Sequence, residues 1–106
     1  MSEPVRIFAT IRPKPEFFDE AKAAILEIIP VTRAEPGCEW FDLYEGAEGS
    51  GTLHLWEKFA SDAALEAHYA KEYTRQVFDA YQEWLAQPVE VQRLSPLETA
   101  GSGDAK

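Results

Sequence analysis

The chain has 106 residues, 45% of them apolar, and a formal charge of −9 from 19 acidic and 10 basic side chains. This length supports one domain around a single core, and the composition excludes global disorder. So acidic a surface, with no Lys/Arg cluster, repels phosphate backbones and argues against nucleic acid as a partner.

Val5 to Ile11 is rich in β-branched and aromatic residues and predicts a first strand. Pro13 and Pro15 stop it, since proline fixes φ and removes a ladder donor. A helix is then predicted from about Glu16 to Ala34. Phe18, Ala21, Ala24, Ile25, Ile28 and Ile29 recur at helical spacing and make one apolar stripe. Pro30 falls inside this pattern and predicts a kink or a separated last turn. Glu35-Pro-Gly37 closes the segment.

Cys38 to Tyr44 predicts the second strand, with Glu39, Phe41 and Leu43 on one face and Trp40, Asp42 and Tyr44 on the other. Gly46, Gly49 and Gly51 mark a hairpin loop. Thr52 to Phe59 predicts the third strand. Leu53, Leu55, Glu57 and Phe59 share one face; His54, Trp56 and Lys58 share the other. Neither face is cleanly polar, so both need cover. Ser61 or Asp62 can cap a short second helix carrying Leu65, His68 and Tyr69. A third helix spans roughly Thr74 to Leu85, with Val77, Phe78, Tyr81, Trp84 and Leu85 as its stripe. Pro88 precedes a fourth strand, Val89 to Leu94. Residues 1–94 thus read as one domain, and residues 95–106, poor in apolar side chains, as a flexible tail.

The order β-α-β-β-α-α-β is that of an α+β, ferredoxin-like protomer: a four-stranded antiparallel sheet with its helices on one face. Trp56 and His54 on the opposite face are poorly placed in water, so a homodimer packed through the sheet is expected. The single cysteine, Cys38, needs no oxidising compartment. Met1 to Arg6 has no signal-peptide pattern, and no apolar run approaches the ~20 residues of a membrane span. A cytoplasmic location and no membrane partner follow as expectations. Only His54 and His68 are present, away from ligand spacing, and no dinucleotide fingerprint or phosphate loop is found, so neither metal nor cofactor is expected.

Arg33-Ala-Glu-Pro-Gly-Cys38, Trp40-Phe-Asp-Leu-Tyr44, Trp56-Glu-Lys-Phe59 and Ala64-Leu-Glu-Ala-His-Tyr69 together resemble the antibiotic biosynthesis monooxygenase domain, over about residues 5 to 94. The resemblance implies a dimeric α+β barrel. It also implies one of several chemistries: cofactor-free oxygenation of anthrones or quinols, haem degradation, or isomerisation of a sugar phosphate. Departures narrow the choice. Lys58-Phe59 stands where the family commonly has Arg-Trp, and Tyr73 where a second histidine often follows. Leu55 and Phe59 replace the Asn and Trp of anthrone oxygenases. Phe78 lies near the axial histidine position of haem degraders, and the acidic charge disfavours a phosphate substrate.

Cofactor-free oxygenation needs a base, a donor for the developing oxyanion, and an apolar pocket that excludes water. On this reading His68, Tyr73 and Glu57 are the candidate catalytic residues, and Phe59, Leu65, Tyr69, Phe78 and Tyr81 the candidate contacts to a small hydrophobic aromatic substrate. Each has another reading: His68 as a structural helix histidine, Glu57 as a carboxyl paired with His68 or capping a helix end, Tyr73 and the aromatic stripe as core packing. The functional alternative is a non-catalytic dimer of the same fold, binding a small molecule or acting in stress.

Overall fold

The computed structural model describes residues 3–99. Its elements are β1 (Val5–Ile11), α1 (Phe18–Arg33), β2 (Cys38–Glu45), β3 (Leu53–Phe59), α2 (Asp62–Ala70), α3 (Glu72–Trp84) and β4 (Glu90–Leu94), with a 3₁₀ turn at Pro15–Phe17 leading into α1. The four strands form one sheet in the order β2-β3-β1-β4, every neighbouring pair antiparallel. This is the ferredoxin-like α+β arrangement that the element order predicts. The last residues of the expected tail, 100–106, lie outside the described residues.

Strand alternation decides what the helices cover. Val5, Ile7, Ala9 and Ile11 of β1 and Leu53, Leu55 and Phe59 of β3 are buried in the core with Phe41 of β2. Helix α1 lays Ala21, Ile25 and Ile29 against them, a spacing of four that keeps one stripe inward. Pro30 neither ends α1 nor splits off its last turn: the helix runs on to Arg33, and the Ala34 amide donates to the Pro30 carbonyl at 3.2 Å. Proline here removes the backbone donor that would reach the Leu26 carbonyl, and its ring crowds that carbonyl.

One predicted detail is corrected. In β2 the register shifts between Cys38 and Trp40, so Cys38 pairs with Phe59 and Trp40 with Lys58. Glu39 is the extra residue of a β-bulge, and Cys38 rather than Glu39 joins the core side. The helices cover one side of the sheet, as the element order predicts; on the other side Phe8, Trp40, His54 and Trp56 are partly buried. There the Phe8 and His54 rings stack at 5.4 Å, and Trp40 and Trp56 lie 5.7 Å apart. Lys58 reaches across this face, 4.8 Å above the Trp40 ring and 3.1 Å from Glu39 Oε1.

The Glu35-Pro-Gly37 turn fixes α2 in place. Gly37 has φ +91°, a conformation that suits glycine. A Cβ on it would lie 2.6 Å from Ala64 Cβ, so the turn sits directly on the first turns of α2. The Gly37 carbonyl accepts from the Ala60 amide at 2.7 Å, and Ser61 caps α2 by accepting from the Ala64 amide at 3.1 Å. His68 follows Ala64 by four residues and therefore projects from the same side of the helix. No helix among the described residues is long and apolar enough to cross a membrane.

Candidate active site

His68 is 3% exposed. Its Nδ1–H donates to Glu35 Oε2 at 3.0 Å, and Glu35 is itself buried. The turn that seats Gly37 on Ala64 places Glu35 beside His68. A carboxylate on Nδ1 fixes the tautomer and leaves Nε2 as the ring nitrogen able to take a proton. The imidazole is packed edge and face by Phe59, Phe41 and Tyr69, with ring centroids 5.1, 5.5 and 5.6 Å away.

Beside it, between the sheet and helices α1, α2 and α3, lies a cavity of about 40 Å³, or about 470 Å³ of unfilled space counting its open mouth. Its wall is almost wholly hydrocarbon and aromatic. Of the residues proposed from sequence, His68, Glu57, Tyr69, Phe78 and Tyr81 line it. Phe78 meets Tyr69 and Tyr81 edge-on at 6.0 and 5.5 Å. Tyr69 and Phe78 are partly exposed.

Three proposed residues sit elsewhere. Phe59 is fully buried behind the imidazole, and Leu65 belongs to the core; neither reaches the cavity. Tyr73 lies in the first turn of α3, on the side that faces α1. Its hydroxyl donates to Glu35 Oε2, the oxygen that also accepts from His68, and does not face the cavity. Burial and the bond to Glu35 push the Tyr73 hydroxyl up to about 12.

The expected pairing of Glu57 with His68 is not found; Glu35 takes that place. Glu57 is 5% exposed, and its Oε1 has no hydrogen-bond partner among the described residues. Burial, and secondarily the nearby Glu35 carboxylate, raise its carboxyl to about 7, because both penalise a second buried negative charge. Tyr81 and Tyr69 are raised likewise, by burial first and Glu57 second. Burial also raises Cys38 to about 11, which makes it a poor nucleophile. Among the described residues no group of three His, Cys, Asp or Glu side chains could hold a metal ion.

Sequence reasoning missed Glu35 and Thr74. Glu35 carried a signal, as the first residue of the Glu-Pro-Gly turn, but read alone it looked like punctuation. Thr74 carried none: it is 3% exposed, lines the cavity, and its hydroxyl has no partner among the described residues.

The fold and the site together define a ferredoxin-like α+β protein with an acid-held imidazole at the edge of an apolar cavity. Residues 4–84 match the antibiotic biosynthesis monooxygenase family, and the chain belongs to that family. "Putative monooxygenase Rv0793" of Mycobacterium tuberculosis is 36% identical over 102 residues, spanning 96% of this chain and 100% of that protein. The solved structure of Rv0793 superposes with a TM-score of 0.86 at 37% identity, covering 92% of this chain and 99% of that one. The crystal structure of PA3566 from Pseudomonas aeruginosa gives 0.84 at 28% identity, covering 92% and 98%.

Proposed function

We propose that the protein is a cofactor-independent monooxygenase that oxidises a small quinol-like or polycyclic phenolic substrate with molecular oxygen. The observation that carries this reading is the buried Glu35–His68 pair beside an apolar cavity. Family membership and the name of the mycobacterial relative support it. His68 Nε2 takes a phenolic or enolic proton, and the substrate becomes a carbanion-like donor of electrons. Oxygen adds at carbon to give a peroxide. As the peroxide collapses, one oxygen atom stays on carbon as a carbonyl; the other leaves as water with two hydrogens from the substrate. The substrate supplies all the electrons, so the protein contributes a base, a dry pocket and orientation.

A cavity of about 40 Å³ holds a few waters, not a ring. Admission of substrate therefore requires Tyr69 and Phe78 to swing outward at the mouth. A second copy of the chain covers the sheet face of Phe8, Trp40, His54 and Trp56, giving a homodimer. Oxygen uptake over a panel of hydroquinones and anthrones tests the function. Binding without uptake would instead indicate the non-catalytic relative of the same fold, and a shifted Soret band on adding haem would indicate the haem-degrading branch.

A further inference from the structure

We infer that Glu57 and Thr74 form a second polar subsite, which recognises an oxygen substituent of the ligand other than the one that meets His68. The inference deepens, and rests on, the reading of this cavity as the substrate site. It makes the ligand a flat aromatic with two oxygen functions. The two residues come from opposite walls, Glu57 from the central strand β3 and Thr74 from the first turns of α3. Both side chains are at least nine-tenths buried, both line the cavity, and Glu57 Oε1 and Thr74 Oγ1 have no hydrogen-bond partner among the described residues.

Buried polar atoms without partners are costly and uncommon in folded proteins. Much of the wall is built from side chains such as Ala9, Ile11, Ile25 and Leu55, which offer no polar group, while Tyr69 and Tyr81 lie within electrostatic reach of Glu57 without bonding to it. A hydrocarbon ring in the cavity would leave both oxygens unpaired. A ring hydroxyl can donate to the Glu57 carboxylate and accept from the Thr74 hydroxyl; a ring carbonyl can accept from Thr74 and from a protonated Glu57. With its carboxyl held near neutrality by burial, Glu57 can meet either form. The subsite thus fits both the hydroxyl of a quinol and the carbonyl of its oxidised product. His68 meets one end of such a ligand, and Glu57 with Thr74 meets the other.

Calorimetric titration of the full chain, without oxygen, with 1-naphthol and with 1,4-dihydroxynaphthalene tests this. The intact protein should bind the diol about tenfold or more tightly than the mono-ol, because the missing hydroxyl leaves the subsite unpaired. Thr74→Val and Glu57→Met should each shrink that preference severalfold. Both should also raise or hold the thermal midpoint of the ligand-free protein, since an unpaired buried oxygen is removed. Equal affinity for the two naphthols, or binding of neither, overturns the inference. So does a lowered midpoint with the preference unchanged, which would mark the two side chains as structural. Diol binding without oxygen uptake would count against the oxygenase reading and leave the subsite in place.

Discussion

His68 Nδ1 lies 3.0 Å from Glu35 Oε2, and both side chains are about 95% buried. A charge-assisted hydrogen bond out of solvent sets the ring's orientation and tautomer. Glu35 is a positioning residue on this account, acting through the imidazole. Glu35→Gln should keep the fold and lower turnover by roughly 10–10²-fold, less than loss of the base itself. Glu35→Ala should in addition destabilise by about 1–3 kcal/mol, because it leaves the buried His68 donor without an acceptor. Activity measured beside urea unfolding of the two variants separates these effects. A Glu35→Gln protein with full turnover would contradict the role.

Gly37 links the turn to the helix. Gly37→Ala places a methyl 2.6 Å from Ala64 Cβ and forces a positive φ on alanine. We expect a loss of about 1–3 kcal/mol in stability. Turnover should also fall in the protein that remains folded, as α2 is pushed off and His68 moves from Glu35. Wild-type unfolding and activity for this variant would refute the claim that the turn seats the site.

Glu57 makes stability depend on pH. Its carboxyl is raised from 4.5 to about 7 by burial, so between these values the folded state holds a proton that the unfolded chain has lost. Stability from this group is fully present below about pH 4.5 and is lost as pH rises through about 7. The size is roughly 3–4 kcal/mol at most, at about 1.4 kcal/mol per pKa unit. Urea unfolding at pH 5 and pH 8 should therefore show the wild type losing stability relative to Glu57→Gln over that interval. Parallel curves for the two proteins would show that Glu57 titrates normally.

The sheet face turned away from the helices predicts the assembly. Trp56 lies at its centre, beside Trp40 and opposite Phe8 in the ladder. Light scattering at micromolar concentration should give about twice the chain mass for the wild type, and Trp56→Lys should shift it toward the monomer, because burying an unpaired ammonium at the contact is expensive. A monomeric wild type would remove the proposed interface.

The strands, helices and most of the core were legible in the sequence because they rest on periodicity. Ile7 and Leu55 fall inward by alternation, and Ala21, Ile25 and Ile29 by helical spacing. The bulge at Glu39 was not legible: one extra residue leaves no mark on composition, yet it moves Cys38 to the core side. The site was half legible. His68, Glu57, Tyr69, Phe78 and Tyr81 converge because period-two and period-four rules place them on facing surfaces. Glu35 escaped because its contact with His68 spans 33 residues and depends on how the Gly37 turn meets α2. Tyr73 was misplaced because one-helix reasoning cannot tell which neighbouring helix its ring will face.

We propose His68 as the general base of a cofactor-free oxygenation. Oxygen consumption by purified wild type and by His68→Gln, over hydroquinones and anthrones and with isotopically labelled O₂, tests it most directly. The account predicts one O₂ consumed and one labelled oxygen in product per turnover, and a rate roughly 10²–10⁴-fold lower in His68→Gln with its circular dichroism unchanged. Undiminished uptake by a folded His68→Gln protein, or substrate binding by the wild type with no uptake at all, would contradict it.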